Sequence, residues 1–287
     1  MNATQQRQRL RNVLAGDACI RPASVFDPIS ARIAIALGFE VGMFAGSVAS
    51  AVVLGAPDIV VLTLTEFAQQ AQRITRAGDL SLVVDADHGY GNALNVMRTV
   101  EEMEVAGVSA LTLEDTVLPR PFRQQKDQVL LPVEVMTANL KAALEAREDP
   151  SLAIVGRTAA MAFAGVEAAV QRVKAYSEVG VDAIFLTGVT TREQVETVSQ
   201  ATDLPLLLGS TPSSINDLDY LGANGVRIAL AGHLPFMASV KAVYDTLKHL
   251  REGGSPEDLT GVTATEDMMA VVTDMERYSS WQKEYLE

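Results

Sequence analysis

Cysteine is almost absent from this sequence, since its 287 residues include only Cys19. A single thiol excludes an intramolecular disulfide and a cysteine-rich zinc site. Such sparing use of cysteine is typical of the reducing cytoplasm, so a cytoplasmic protein is expected. Because Cys19 lies in a short apolar segment, we expect a small buried side chain there rather than a nucleophile.

Positive charge and long apolar runs are also scarce. Lys and Arg number 23 against 36 Asp and Glu, which gives a formal net charge of −13. Nucleic acid is not expected as a partner, because phosphate binding needs clustered basic residues. No stretch is apolar enough to span a membrane and no apolar run follows the basic segment 5–11, so neither a membrane helix nor a signal peptide is expected.

Aromatic residues make up only 5% of the chain, whereas hydrophobic residues together reach 48%. The core must therefore consist mainly of Ala, Val, Leu and Ile, which suits buried parallel strands covered by helices. Short runs rich in Val, Ile and Leu alternate with longer Ala-rich amphipathic runs. The predicted strands cover residues 20–25, 41–45, 80–84, 110–113, 152–156, 183–186, 206–208 and 226–229. The predicted helices include residues 5–14, 31–37, 92–106, 133–147, 166–179 and 191–201.

Several predicted helices end in a glycine that the next strand follows within a few residues: Gly38, Gly107 and Gly180. A glycine at this place supplies the left-handed residue that ends a helix. The repeated pattern indicates parallel β/α units, and eight predicted strands favour a (β/α)8 barrel of the TIM type, an α/β fold. We expect the barrel to occupy residues 1–250 and a C-terminal helical tail to occupy residues 251–287, packed on its own barrel or on a partner subunit.

Four carboxylates follow two neighbouring predicted strands: Asp85 and Asp87 after the third, and Glu114 and Asp115 after the fourth. In a barrel the active site lies at the carboxyl ends of the strands, so these groups are expected to converge. A hard divalent cation would relieve their repulsion, and an oxygen-only ligand set favours Mg²⁺, with Mn²⁺ as an alternative. For any single one of these acids, capping of the following helix is the competing role.

Three further polar residues stand at predicted strand ends. Arg157 could clamp a substrate carboxylate or form an internal salt bridge to one of the acids, and the clamp is favoured because the two roles can coexist. His233 could donate to an anion or move a proton, although a lone histidine is more often structural. Ser47 is flanked by small residues that let backbone amides approach a ligand.

Several other chemistries have no residues to support them. No lysine falls on a predicted strand end, so a Schiff-base aldolase is not expected. The Gly-x-Ser-x-Gly motif of serine hydrolases and the Walker-type phosphate loop are both missing from the sequence.

Three motifs in a fixed order resemble the isocitrate lyase/phosphoenolpyruvate mutase superfamily. They are Asp-Ala-Asp-His-Gly-Tyr-Gly-Asn at 85–92, Leu-Glu-Asp at 113–115 and Gly-Arg-Thr at 156–158. The resemblance runs over most of the chain and includes residues 24–28 and 46–50. Asp-Ala-Asp-x-Gly-Tyr-Gly followed by Leu-Glu-Asp is a fairly specific signature of that superfamily.

Within the superfamily, residues 87–96 and the late Gly232-His233 pair are most similar to the oxaloacetate decarboxylase branch. This resemblance implies Mg²⁺-dependent decarboxylation of oxaloacetate, or of a close 2-oxo diacid, to pyruvate and CO₂ through a metal-stabilised enolate. It also implies that Asp85 binds the metal directly and that Asp87 and Glu114 hold metal-bound waters. Substrate contacts are implied for Ser47, Arg157 and His233, and of these Arg157 and His233 are the expected catalytic residues.

The segment after the fourth predicted strand departs from other branches of the superfamily. It has no cysteine where isocitrate lyases carry Lys-Lys-Cys-Gly-His, and Thr116 and Gln124-Gln125 do not supply the Glu-Asp-Lys and Asn-Ser of phosphonopyruvate enzymes. We expect residues 116–131 to form a lid that excludes water. Ala159-Ala160 and the segment 209–212 also differ from the family pattern, so the substrate could be a relative of oxaloacetate.

Two alternatives to oxaloacetate decarboxylation stay open at this point. One is another lyase or hydrolase of the same superfamily that acts on a phosphonate or a 2-alkylmalate. The other is a non-catalytic protein that binds a dicarboxylate and a metal. Under every alternative, the resemblance implies a homotetramer that exchanges its last helices, and the hydrophobic helix expected at 235–250 fits this arrangement.

Overall fold

A computed structural model describes residues 2–120 and 129–287 of the chain. Eight parallel strands follow one another in chain order in one curled sheet, with helices on its outer face, so the barrel prediction is confirmed. The strands are β1 (Ala23–Ser24), β2 (Val41–Phe44), β3 (Ser81–Asp85), β4 (Ala110–Glu114), β5 (Ala153–Thr158), β6 (Ala183–Leu186), β7 (Leu206–Leu208) and β8 (Val226–Ala229). Within the described ranges, no helix has the length and hydropathy needed to cross a bilayer.

The helices alternate with these strands and continue beyond the last one. They are α1 (Ala3–Ala15), α2 (Pro28–Ala36), α3 (Gly46–Ala49), α4 (Leu64–Thr75), α5 (Ala93–Val105), α6 (Val133–Ala146), α7 (Ala160–Phe163), α8 (Val166–Val179), α9 (Arg192–Ser199), α10 (Leu218–Ala223), α11 (Leu234–Arg251), α12 (Glu266–Thr273) and α13 (Met275–Tyr285). A π-helical turn covers Ser50–Leu54, and 3₁₀ turns cover Ser213–Ile215 and Pro256–Leu259.

The first strand differs from its prediction. Instead of six residues, β1 has two, and the sheet closes into a ring through one isolated parallel bridge between Ile20 and Ile228. Two backbone hydrogen bonds form that bridge, from Ile20 N to the Arg227 carbonyl and from Ala229 N to the Ile20 carbonyl, both 2.9 Å long. The barrel is therefore closed, but weakly, between β8 and β1.

The barrel axis is filled by small and medium apolar side chains that the strands point inward. Leu10 and Leu14 of α1 join this cluster and cover the amino-terminal end of the barrel. The polar face of α1 fastens it there, because Arg7 reaches the Asp149 carboxylate at 2.7 Å and Arg11 reaches that of Asp182 at 2.5 Å. Because α1 covers the amino-terminal end of the barrel, the carboxyl ends of the strands form its accessible face.

Strand alternation decides which polar residues face this accessible end. Successive residues of a strand point to opposite faces, so a side chain two positions after an axial residue also faces the axis. Val83, Ala110 and Val155 belong to the axial cluster. Continuing their series to the strand ends gives three charged residues on neighbouring strands: Asp85, Glu114 and Arg157.

The same alternation corrects the expected convergence of four carboxylates. Asp115 faces outward, is 0% exposed, and accepts hydrogen bonds from Arg172 Nη1 at 2.9 Å and from the Tyr176 hydroxyl at 2.8 Å. Arg172 also donates to the Leu131 carbonyl at 2.8 Å. Asp115 thus joins β4 to α8 and lies outside the group of acids at the barrel axis.

The C-terminal segment divides into two parts that behave differently. In the tail, α12 packs on α2 of the same chain, and Arg32 donates to the Val272 carbonyl at 2.8 Å. By contrast, α11 has no buried residue and packs only lightly, against β1. Its apolar side chains are exposed at Leu234, Met237, Val240, Val243, Tyr244, Leu247 and Leu250.

Removal of the Arg172 side chain is expected to destabilise the protein strongly. In Arg172→Met the Asp115 carboxylate would stay buried without its ion-pair partner, which costs roughly 3–5 kcal/mol. Urea unfolding followed by circular dichroism measures this cost. The matched control is Arg98→Met, since Arg98 is 64% exposed and pairs with Glu102 on the helix surface, where an ion pair contributes about 0.5 kcal/mol. Equal unfolding midpoints for the two variants would contradict the structural role of the Asp115–Arg172 pair.

Candidate active site

One cavity of about 780 Å³ opens at the carboxyl ends of the strands. Of the seven residues singled out from the sequence, all but Asp115 line it: Ser47, Asp85, Asp87, Glu114, Arg157 and His233. Among the described residues of its wall there is neither a cysteine nor a lysine. The cavity therefore offers carboxylates, guanidinium groups, the hydroxyls of Ser47 and Thr187, and an imidazole as its polar groups.

Arg157 occupies the centre of this set. Its Nη1 atom donates to Asp85 Oδ2 in a short ion pair, and its Nη2 atom lies 3.0 Å from Glu114 Oε2. The guanidinium carbon is 5.2 Å from the centre of the Phe185 ring, a residue that also faces the axis. Burial alone would lower the pKa of Arg157, but the neighbouring carboxylates of Asp85 and Glu114 outweigh it and raise that pKa. The internal salt bridge weighed in the sequence analysis is thus present.

One hydrogen-bond donor of Arg157 is left over. Its Nε atom is buried and has no hydrogen-bond partner among the described residues. A buried donor without a partner costs free energy, about 1–3 kcal/mol, which an anionic ligand can recover by accepting its hydrogen bond. Arg157 therefore retains one N–H donor that its two carboxylate partners do not use.

Asp85 and Asp87 are held in place by different contacts. Asp85 Oδ1 accepts a hydrogen bond of 2.9 Å from the Thr112 hydroxyl on the neighbouring strand. Asp87 has a left-handed backbone with φ of 48°, and its carbonyl accepts a 2.8 Å bond from Glu114 N. A Cβ added to Gly46 would lie only 3.0 Å from Asp87 Oδ1, so the absence of a side chain at Gly46 gives the carboxylate its place.

The acids of the cavity raise one another's pKa values. Burial, and then the charges of Asp85, Glu114 and Asp58, raises the pKa of Asp87 to about 8. Burial also raises the pKa of Glu114 to about 7, against the opposing effect of Arg157. The two carboxyl groups therefore release their protons at higher pH than free carboxylic acids do.

This donor set fits a hard divalent cation. It consists of carboxylate oxygens, which Mg²⁺ and Mn²⁺ prefer, and a cation would replace the protons that repulsion now favours. Within the described part of the chain, no three carboxylate, histidine or cysteine side chains stand close enough to coordinate a metal ion on their own. A site with one direct carboxylate ligand and others acting through water meets both conditions, and Mg²⁺ commonly keeps several of its waters.

His233 and Ser47 line the cavity from two other connections, after β8 and after β2. His233 precedes α11, and its Nδ1 atom is 3.2 Å from the Ser24 hydroxyl oxygen at the end of β1. Burial lowers the pKa of His233, while the carboxylates of Asp85 and Asp58 act in the opposite direction. Ser47 lies in the first turn of α3 and is half-buried.

Two charged residues of the cavity were missed in the sequence analysis. Asp58 lines the wall, and burial together with the nearby Asp85 raises its pKa. Arg120 lines the same wall and opposes this rise in the pKa of Asp58. Both residues lie in loops that leave the carboxyl ends of strands, after β2 and β4, so a search of whole loops rather than strand ends would have found them.

The expected lid falls partly outside the described residues. The two ends of the segment 116–131 pair with each other, through a bridge between Thr116 and Leu130 and a 2.8 Å bond from Val117 N to the Val129 carbonyl. Residues 121–128, including Gln124 and Gln125, lie outside the described ranges. A lid at 116–131 stays a prediction.

Comparison with known proteins identifies relatives of this chain. An oxaloacetate decarboxylase from Rhodopseudomonas palustris (strain BisB18) is 54% identical over 268 residues, which cover 93% of each chain. The crystal structure of phosphoenolpyruvate phosphomutase from Streptomyces platensis subsp. rosaceus is 26% identical and superposes with a TM-score of 0.87, covering 98% of this chain and 99% of that one. A phosphonopyruvate hydrolase in complex with oxalate and Mg²⁺ is 25% identical, with a TM-score of 0.86 and full coverage of both chains.

The family assignment follows from these likenesses together with a match to a family profile. The profile described as phosphoenolpyruvate phosphomutase matches residues 10–251, which include every strand of the barrel and every residue of the cavity named above. The superfamily resemblance drawn from the three motifs is confirmed. This chain belongs to the phosphoenolpyruvate phosphomutase family.

Proposed function

We propose that this protein decarboxylates oxaloacetate, or a close 2-oxo diacid, to pyruvate and CO₂ with the help of Mg²⁺. The observation that carries the proposal is the set of Asp85, Glu114 and Arg157 in one cavity whose described wall has no cysteine or lysine nucleophile. Decarboxylation of a 2-oxo diacid needs electrophilic help at the 2-oxo group and no covalent catalysis. The name oxaloacetate decarboxylase, borne by a relative 54% identical over 93% of both chains, supports the same activity.

In this proposal the carboxylates of the cavity hold the cation. Asp85 would be the direct ligand, as the superfamily resemblance implies, and its two oxygens retain acceptor capacity beyond the bonds from Thr112 and Arg157. Asp87 and Glu114 accept hydrogen bonds from waters of the cation. When bound, Mg²⁺ stabilises the negative charge that develops at the 2-oxo oxygen of the substrate. Mn²⁺ can replace Mg²⁺ in such an oxygen-only set.

The remaining residues orient the substrate and handle its proton. Arg157, through the Nε–H that lacks a described partner, and the Ser47 hydroxyl bind the carboxylate next to the 2-oxo group. The bond between C3 and the distal carboxylate then breaks, CO₂ leaves, and the electron pair becomes the double bond of the pyruvate enolate. His233 orients the departing carboxylate or helps a proton to reach C3, where protonation completes pyruvate.

A second candidate is hydrolysis of phosphonopyruvate. It is favoured by the likeness to phosphonopyruvate hydrolase over the full length of both chains, although the two are only 25% identical. Phosphonopyruvate is also a 2-oxo acid with an anionic group on C3, so the same cavity could bind it. A non-catalytic role in binding dicarboxylates is the third possibility, and turnover distinguishes it from the other two.

Pyruvate release from oxaloacetate is the first measurement. With Mg²⁺ we expect saturable turnover above the metal-catalysed background, and we expect EDTA or Asp85→Ala to reduce it by at least about a hundredfold, because the cation supplies several kcal/mol of stabilisation. Asp219→Ala, which removes an exposed carboxylate on α10, is the matched control and is expected to retain full turnover. Release of phosphate from phosphonopyruvate, with no oxaloacetate turnover, would instead establish the hydrolase.

Stability without divalent cations is expected to fall as pH rises from about 5 to 8. The pKa of Asp87 lies above that of an unfolded aspartate, about 3.9, so the folded protein binds more protons throughout this window. Each pKa unit corresponds to about 1.4 kcal/mol, and 1 kcal/mol shifts the melting temperature by about 2–4 °C. Thermal unfolding at several pH values measures the fall.

Two additions to that experiment identify the group responsible. Asp87→Asn is expected to flatten the pH dependence, and Mg²⁺ is expected to offset the fall in the unmodified protein by replacing the protons. Asp219→Asn serves as the control with an unchanged profile. A profile that Asp87→Asn leaves unaltered would contradict the assigned role of Asp87.

We further propose that the protein is a homotetramer in which α11 packs against a partner subunit. The apolar side chains Val240, Tyr244 and Leu247 recur at helical spacing, yet α11 buries none of them in its own chain. Beside it, a groove of about 680 Å³ between α2 and the start of α11 exposes Ile29, Ile33 and other apolar residues. Exposed apolar surfaces of this extent are typical of protein interfaces.

The division of the chain into a barrel unit, residues 1–250, and a tail, residues 251–287, stays a proposal. The cytoplasmic location stays a proposal as well.

Light scattering after size-exclusion chromatography tests the assembly. The unmodified protein is expected to elute as a tetramer, and Val240→Asp combined with Tyr244→Asp is expected to dissociate it, because two charges would be buried in an apolar contact. Lys241→Ala, on the polar side of α11 where Lys241 pairs with Asp245, is expected to leave the tetramer intact. A monomeric unmodified protein at micromolar concentration would overturn the proposal.

A further inference from the structure

We infer that Ser24 is a positioning residue that fixes the ring of His233 and the nitrogen on which it carries its proton. The inference rests on the proposed function of His233 at the cavity. It starts from the hydrogen bond between the Ser24 hydroxyl and His233 Nδ1, 3.2 Å long, which joins residues 209 positions apart in the chain. The segment 24–28 belongs to the superfamily motif, but none of the cavity roles described above involves Ser24.

The fold brings this serine to the histidine by strand alternation. Val25 is 1% exposed and packs in the outer core between sheet and helices, so Ser24 on the same strand faces the opposite way, toward the axis. β8 pairs with the β1 segment through the bridge at Ile20, and the loop after β8 carries His233 to the end of β1. Phe26 and Phe236, with ring centres 5.5 Å apart in an edge-to-face contact, hold the same two segments together.

Neither Ser24 nor His233 has another side-chain hydrogen bond, among the described residues, that would account for their contact. Among the described residues, Ser24 Oγ has no hydrogen-bond partner except His233. The His233 side chain makes no capping bond to α11, although it occupies the position just before the helix. The hydrogen bond between Ser24 and His233 therefore neither supports a turn next to β1 nor caps α11.

The chemistry of the ring shows what the bond accomplishes. Burial favours the neutral imidazole, in which one nitrogen donates and the other accepts. Nδ1 faces Ser24, so Nε2 is the nitrogen left for the cavity and its substrate. A carboxylate only accepts hydrogen bonds, so Nε2 must carry the hydrogen, and Nδ1 must then accept the hydroxyl hydrogen of Ser24. Ser24 thereby selects the form of His233 that can donate to the departing carboxylate.

Nitrogen NMR of the full-length protein reads the position of this hydrogen directly. The chain has only three histidines: His88, His233 and His249. The signals that disappear in His233→Gln are therefore those of His233. We expect long-range ¹H–¹⁵N correlations of a neutral ring protonated at Nε2 in the unmodified protein and in Ser24→Thr. In Ser24→Ala we expect the nitrogen signals of His233 to move toward the average of the two neutral tautomers, one protonated at Nε2 and the other at Nδ1. These spectra need no turnover, so they test Ser24 even if oxaloacetate proves not to be the substrate.

Steady-state kinetics test the consequence for catalysis. Ser24→Ala is expected to lower kcat about three- to tenfold, the effect of one neutral hydrogen bond, with KM changed less than about twofold. Ser24→Thr restores the hydroxyl and is expected to restore kcat. Ser109→Ala is the matched control, because Ser109 is a buried serine just before β4, at the opposite end of the barrel.

A double-mutant cycle separates positioning from general structural support. In a His233→Ala background, Ser24→Ala is expected to cost nothing further, because the group through which it acts is already gone. The inference is overturned if Ser24→Ala lowers kcat by the same factor in both backgrounds. It is equally overturned if Ser24→Ala leaves both kcat and the His233 nitrogen signals unchanged, or if Ser24→Thr fails to restore them in a protein of normal melting temperature.

Discussion

The constraint on which this protein depends is the two-residue alternation of its parallel strands. A side chain on such a strand faces either the barrel axis or the surrounding helices, and its neighbour in sequence faces the other way. Glu114 and Asp115 show the effect most clearly, because adjacent carboxylates acquire unrelated roles. Glu114 contributes to the charged group above the axis, whereas Asp115 joins β4 to α8 through Arg172. One strand thereby serves both the cavity and the outer packing.

The cavity concentrates negative charge and balances only part of it. Arg157 bridges Asp85 and Glu114, but Asp87 lies beyond this bridge against the bare Cα of Gly46. Charges in a half-buried site repel strongly because little water screens them. Burial and this mutual repulsion raise the pKa values of Asp87 and Glu114, and under the proposed function a divalent cation would relieve the repulsion.

Much of this architecture could be predicted from the sequence, and the failures have physical causes. The bounds of β6, β7, β8 and α8 match their predictions, since buried runs of Val, Ile and Leu and a C-terminal glycine mark them sharply. The missed helix α4 begins at a capping box of Thr63 and Glu66, a signal that was present and overlooked. The six cavity residues came from strand-end position and family motifs together, and the structure gathers them in one cavity. Asp58 and Arg120 were not predicted, because loop conformation leaves no periodic signal in the sequence. The pairing of Ser24 with His233 was not predicted either, because it depends on how the ring of strands closes.

That closure has a consequence for how the protein works as a whole. Within the described residues, one isolated bridge between Ile20 and Ile228 completes the ring, and β1 itself is two residues long. A sheet with so little pairing at one seam opens there before it opens elsewhere. Ser24 stands on one side of this seam and His233 on the other, so a local opening of the seam would separate the imidazole from its partner, whereas the carboxylates lie on the continuously paired strands β3 and β4. The cavity thus joins two differently supported parts: the carboxylates stand on fully paired strands, whereas the Ser24–His233 pair stands across the least paired seam of the ring and depends on that seam staying closed.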